Sequence, residues 1–461
     1  MKQKAIFAAL ATCSALALNA QNHEKPNLVL FLADDCTYFD IRCYGSADSQ
    51  TPNIDKFASE GIRFTNGFQA APMCSPTRHN LLTGLWPVKT GAYPNHTIAK
   101  EGTLSVVQQL KPAGYQVALV GKSHVNPESV FPWDLYAPLT KSNDLNFFAI
   151  DSFIQDCTSN DQPFCLVVTT NQPHTPWNKG NPDLFNPDEL KLPPYYVDTK
   201  ETRQLFCKYL AEINYMDSEF GTLLEKLDKH HVADQSVVVY LSEQGNSLPF
   251  AKWTCYDAGV HSAYIVRWPG IVNPGRESDA IVEYVDIVPT FLDMAGLEPS
   301  APLDGKSFVP VLTGNAAEHK QYTYSLQTTR GIYSGSDYYG IRSVADKKYR
   351  YIVNLTPEAT FKNTESAGRL FKIWQEKSKT DPKAKWLTER YQHRPAVELY
   401  DVENDKYCMN NIAENPENKV IIERMDQALK EWMAMCGDQG QETEMKALEH
   451  QHRNTQGKIG E

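Results

Sequence analysis

The chain has 461 residues, 41% of them hydrophobic and 22% charged, with a formal net charge of −11. That composition supports a sizeable folded core and excludes a disordered chain. The acidic balance leaves no general attraction for nucleic acid, so any polyanion must meet a local basic site.

Residues 1–20 open with Lys2 and Lys4, run through an apolar stretch to Leu18, and end in Leu18-Asn19-Ala20. This is the layout of a secretory signal peptide, and the apolar run is short for a bilayer. The chain is therefore expected to be exported, to the periplasm or medium in a bacterium and to the lysosome in a eukaryote. No later stretch reads as a membrane span.

Asn27–Leu32 is a continuous apolar run, as a strand buried on both faces requires. Val117–Val120, Phe164–Val168 and Val237–Leu241 repeat it. Helical stretches lie between them: Pro52–Glu60, with Thr51 as N-cap and Pro52 at the first position; Leu104–Leu110; and the long amphipathic Arg203–His230. The alternation predicts an α/β fold with a mostly parallel sheet covered by helices on both faces, and ligands beyond the carboxyl ends of its strands.

Each of those ends carries chemistry. The first strand runs into Asp34-Asp35, the second into Gly121-Lys122-Ser123-His124, the third into a loop with His174, and the fourth into Ser242-Glu243-Gln244. Adjacent aspartates repel unless a cation sits between them. Carboxylates with an amide oxygen suit Ca²⁺ first and Mg²⁺ as the alternative, not zinc. Taken singly, Asp34-Asp35 reads as a solvated turn and His174 as a packing residue. Only their joint placement points to a site.

Ala71-Pro72-Met73-Cys74-Ser75-Pro76-Thr77-Arg78, followed by Leu82-Thr83-Gly84, resembles the signature of the formylglycine-dependent sulfatases. The Cys-x-Pro-x-Arg core follows Asp34-Asp35 by about 40 residues, as in that family. Thr51–Asp55, Gly61–Phe64, Tyr284–Gly296, Asp304–Ser307, and Glu398–Asp401 with Asn411–Ala413 are similar to further family blocks. The resemblance implies an alkaline-phosphatase-like fold, with a catalytic domain over 21–320, a smaller C-terminal α+β subdomain with an antiparallel sheet over 321–436, and a polar, solvated tail over 437–461.

It also implies roles. A maturation enzyme oxidises Cys74 to formylglycine, whose hydrate attacks sulfur through one hydroxyl and expels sulfate through the other. Asp34, Asp35, Glu243 and Gln244 hold one divalent metal together with modified Cys74. Arg78 holds the hydrate, Lys122 and Lys252 contact sulfate, His124 is the base for the second hydroxyl, and His174 is the acid for the leaving group. For Lys252 an exposed structural lysine is the alternative. The family usually has Asp followed by Asn or His where this chain has Glu243-Gln244, one methylene longer at the acid.

The 121–132 and 339–355 segments are similar to the N-sulfoglucosamine sulfohydrolase branch, which implies N-sulfated glucosamine of heparin or heparan sulfate as substrate. An O-sulfated sugar is the alternative. A formylglycine phosphodiesterase or phosphonate hydrolase, or a non-catalytic glycan-binding relative, stands further off. Trp133, Trp177 and Trp253 are candidates to stack on a sugar, with packing as the competing role. Of the ten cysteines, Cys13 leaves with the leader and Cys74 is modified; the other eight are open to pairing or to burial as thiols.

Overall fold

A computed structural model describes residues 25–451, so the leader-like segment and Cys13 lie outside the described residues. Among the described residues twelve strands form two sheets. The first holds β1 (Asn27–Ala33), β2 (Ile62–Phe68), β3 (Gln116–Gly121), β4 (Leu135–Ala137), β5 (Phe164–Thr169), β6 (Ser236–Ser242), β7 (His261–Arg267) and β8 (Arg276–Glu283), in the order β4-β3-β5-β1-β6-β7-β2-β8. All its neighbours pair parallel except β7, which runs against β6 and β2. The second is antiparallel: β9 (Thr323–Thr328), β10 (Gly340–Ala345), β11 (Tyr349–Asn354) and β12 (Val397–Asp401), in the order β12-β11-β10-β9.

β1 shows why the strands read as unbroken apolar runs. Val29, Phe31 and Ala33 enter one hydrophobic cluster, while Leu28, Leu30 and Leu32 enter another on the opposite face. Successive side chains alternate across a strand, so a sheet sandwiched between helices needs apolar residues at every position. The first cluster takes in the long helix Lys200–Lys229, the second the helix Ile287–Met294. The second sheet packs Leu326, Val344, Tyr351 and Leu399 against Met425, Leu429 and Trp432 of the helix Lys419–Cys436.

Two expectations about the helices are corrected. The helix predicted over 104–110 spans Val106–Leu110. Thr51 does not cap the helix Pro52–Glu60; its hydroxyl donates to Asp55 Oδ1 (3.1 Å) and accepts from the Arg42 amide (3.2 Å). The free amides of Asn53 and Ile54 instead donate to Asp217 of the long helix, at 3.1 and 2.8 Å. A carboxylate arriving through space does the work of an N-cap.

The described part of the tail is not loose. Thr443, Glu444, Ala447 and Gln451 are buried. Glu444 Oε1 accepts from the amides of Thr329 (2.9 Å) and Arg330 (3.1 Å), and Gln451 donates to the Asn95 carbonyl at 2.8 Å. Composition made the segment look solvated, but unpaired loop amides recruit its polar groups.

Among the described residues no helix is long and apolar enough to cross a membrane. The nine described cysteines are all free thiols, and all but Cys43 are buried.

Candidate active site

β3, β5, β1 and β6 are consecutive neighbours and mutually parallel, so their carboxyl ends lie along one edge. Asp34-Asp35, Lys122, His174 and Glu243-Gln244 emerge there together. Gly121 closes β3 at φ 116°, and a Cβ there would stand 2.0 Å from the Thr169 carbonyl oxygen. Only glycine allows the chain to turn at that point and deliver Lys122.

Cys74 is the first residue of the helix Cys74–Thr83, which is buried along its whole length and ends at Gly84 in the left-handed region (φ 69°). Burial on all sides explains why this helix lacks an amphipathic stripe. Cys74 Sγ lies 3.5 Å from Asp34 Oδ1 and 3.9 Å from Asp35 Oδ1, and Gln244 Nε2 donates to it at 2.9 Å. Burial and the Asp34 charge push the thiol well above its ordinary range, so it carries little thiolate.

The charges interlock. Lys122 Nζ donates to Asp34 Oδ2. Lys252 Nζ and Ser247 Oγ both donate to Asp35 Oδ2 at 2.7 Å, and Gln244 Nε2 donates to Asp35 Oδ1 at 2.7 Å. Lys252 is 4% exposed, which rules out the exposed structural lysine. Burial works against the charge of Lys252, but Asp35 more than restores it. Burial alone would raise Asp34; Lys122, His174 and Arg78 hold it well below the usual carboxylate range.

Arg78 forms a fork with Glu243, Nε to Oε1 and Nη2 to Oε2 both at 2.9 Å, and also donates to the Lys122 carbonyl. The side chain therefore braces the acid behind Cys74. Glu243 is pushed up by burial and by Asp34, against the pull of Arg78.

His174 Nδ1 donates to the Thr175 carbonyl at 2.6 Å, which leaves Nε2 facing Asp35 Oδ2 at 3.6 Å. His124 is held neutral by burial and by Lys122; its Nε2 lies 3.0 Å from His96 Nδ1 and its Nδ1 has no partner.

The residues present fit a hard divalent cation. Three buried carboxylates crowd one spot, and the Gln244 Oε1 acceptor has no hydrogen-bond partner. Asp34, Cys74 and His174 also offer ligand atoms within 4.8 Å of one another.

The cluster opens into a cavity of about 620 Å³, with Cys74, Lys122, His124, His174 and Lys252 on its wall. His96, Ser247, Tyr333 and Glu365 share that wall and are absent from the sequence reading. Burial lifts the Glu365 carboxyl to about 7, against the pull of Lys252. Tyr333 comes from the β9–β10 loop and Glu365 from the short helix Thr364–Ala367 between β11 and β12, both more than 200 residues from the signature, so no local pattern points to them. Trp253 faces the same cavity with Lys252 Nζ 5.1 Å from its ring centroid; Trp133 packs against the core.

The Sulfatase family model matches residues 26–297, and one described as N-sulphoglucosamine sulphohydrolase, C-terminal, matches residues 245–380. The chain is 33% identical over 436 residues to an ulvan-active sulfatase of Formosa agariphila, covering 92% of this chain and 83% of the relative. It is 25% identical over 469 residues to the N-sulphoglucosamine sulphohydrolase of Homo sapiens, covering 92% and 93%. A solved structure of BT4656 in complex with its substrate D-glucosamine-2-N,6-O-disulfate aligns with a TM-score of 0.68 at 20% identity, covering 91% of this chain and 99% of that one.

Proposed function

The chain belongs to the sulfatase family, and we propose that it hydrolyses the sulfamate of N-sulfated glucosamine in a glycan, with Cys74 oxidised to formylglycine. The observation that carries the reading is the position of Cys74: it lies at a helix start, beside Asp34 and Gln244, on the wall of a cavity that also bears two lysines and three histidines. The match to the C-terminal model over 245–380, which includes Tyr333 and Glu365 of that wall, supports the N-sulfated sugar.

Asp34, Asp35, Glu243, Gln244 and modified Cys74 would hold a divalent metal, with Ca²⁺ favoured by the oxygen donors. When bound, it supplies charge neutralisation at sulfate oxygens and lowers the pKa of the attacking hydroxyl. Lys122 and Lys252 are positioned to exchange their carboxylate partners for sulfate oxygens. Neutral His124 is available to take a proton from the second hydroxyl. His174, with Nδ1–H fixed on the Thr175 carbonyl, delivers a proton to the leaving group only when Nε2 is protonated as well; burial works against that charge and Asp35 favours it. Arg78 acts by holding Glu243 in place. The leader-like residues 1–20 support export.

A second reading, an O-sulfated unit of an acidic polysaccharide, is favoured by the 33% identity to an ulvan-active sulfatase. Sulfate release from N-, 6-O-, 3-O- and 2-O-sulfated glucosamine saccharides and from ulvan oligosaccharides, with calcium present, separates the two. Fastest release from the N-sulfated sugar is the expected result; fastest release from ulvan establishes the second reading. Mass spectrometry of the Cys74 peptide must show the aldehyde, and an unmodified thiol in active material would refute the mechanism.

A further inference from the structure

The catalytic cavity does not end at its own wall. A second cavity of about 380 Å³ shares Thr175, Ser247 and Glu365 with it. A third, of about 660 Å³, shares Leu205, Lys208, Arg369 and Leu370 with the second. The three adjoin one another in an order leading away from Cys74. The second cavity is within the size range of ligand sites. Trp177 and Pro249 give it apolar surface of the kind that sugar-ring faces cover.

Its charge is distinctive. Lys208 and Arg369 are exposed, and neither makes an ion pair or a side-chain hydrogen bond among the described residues. In the catalytic cavity, by contrast, both lysines are matched by carboxylates. Asp183 and Glu201 line only the third cavity and mark where a path for anions ends.

We propose that the second cavity is a subsite for the sugar units adjoining the one whose sulfate is cleaved, with Lys208 and Arg369 taking the sulfate or carboxylate of a neighbouring unit. The occupant is thus an acidic oligosaccharide, continuous with the sugar in the catalytic cavity, rather than a lone monosaccharide. This rests on the sulfatase reading.

The test uses the full-length enzyme and a Lys208→Ala/Arg369→Ala variant; both side chains are exposed, so folding is not at issue. Calorimetry with a heparin tetrasaccharide, an ulvan tetrasaccharide and N-sulfoglucosamine reads binding directly. Turnover of each tetrasaccharide and of 4-nitrophenyl sulfate is measured alongside. The wild type is expected to bind at least one tetrasaccharide about tenfold more tightly than the monosaccharide, and more weakly as salt rises. The variant should lose that advantage, with KM for the tetrasaccharide rising about tenfold, kcat unchanged, and 4-nitrophenyl sulfate turnover unchanged. Equal tetrasaccharide binding by wild type and variant, or no preference of the wild type for either tetrasaccharide, overturns the subsite. Absence of sulfate release from every substrate would instead overturn the sulfatase reading, while the binding arm still decides the subsite.

Discussion

Two buried charge clusters in this molecule look alike in composition and differ in how they are closed. At the strand ends, Asp34, Asp35 and Glu243 face Arg78, Lys122 and Lys252. At the seam between the sheets, Lys320 Nζ donates to Glu283 Oε2 (2.6 Å) and pairs with Asp286 Oδ1 (2.7 Å), while His319 Nε2 lies 3.2 Å from Asp286 Oδ2. The seam is sealed further by Thr323 Oγ1 on Glu283 Oε1 (2.7 Å) and the Lys306 amide on Asp286 Oδ1 (3.0 Å). The catalytic cluster opens on a cavity and leaves Gln244 Oε1 and His124 Nδ1 without partners. A closed cluster ties two sheets together; an open one keeps binding capacity for something that arrives later.

The largest effect expected from breaking the contrast is at Cys74. Cys74→Ala should lower turnover on the order of 10⁴-fold or more while the melting temperature barely moves. A variant that retains wild-type rates would mean that another group attacks sulfur.

The seam should behave in the opposite way. Lys320→Ala leaves two buried carboxylates without their cation, at a cost of about 3–5 kcal/mol of stability by urea unfolding, with kcat of the folded fraction unchanged. Loss of kcat without loss of stability would put the seam in the catalytic class.

His174 sharpens the comparison within the open cluster. His174→Ala should slow release from a sugar about 100-fold, because the sugar nitrogen or oxygen must be protonated as it leaves. Hydrolysis of 4-nitrophenyl sulfate, whose leaving group needs no acid, should fall far less. Equal losses on both substrates would exclude the acid role.

The smallest effect is a pH dependence at a second closed contact. Burial raises Asp257, but Arg350 and His261 more than reverse it, to about 2. A carboxyl held below its ordinary value stabilises the fold above that value, so this contribution is intact above about pH 4 and is lost as pH falls toward 2. It amounts to about 2 kcal/mol. Asp257→Asn should flatten the unfolding free energy across that window, and an unchanged slope would remove Asp257 from the acid response.

The sequence by itself determined the regular part of this protein. Unbroken apolar runs specified strands buried on both faces, the alternation with helices specified parallel pairing, and parallel strands in one sheet must end on one edge. That logic alone gathered Asp34, Asp35, Lys122, His174, Glu243 and Gln244, and the Cys-x-Pro-x-Arg segment added Cys74 and Arg78. Tertiary structure decided whatever depends on groups meeting from distant loops. Arg78 turned out to grip Glu243, 165 residues away, and Asp217 rather than Thr51 caps the helix Pro52–Glu60. His96 reached His124, Glu365 and Tyr333 closed the cavity from the connections of the second sheet, and the described part of the polar tail folded onto the loop amides of Thr329 and Arg330. The physical reason is common to all of these. Periodicity and capping are local and can be read along the chain, whereas a buried polar group takes whichever partner the finished packing brings within reach.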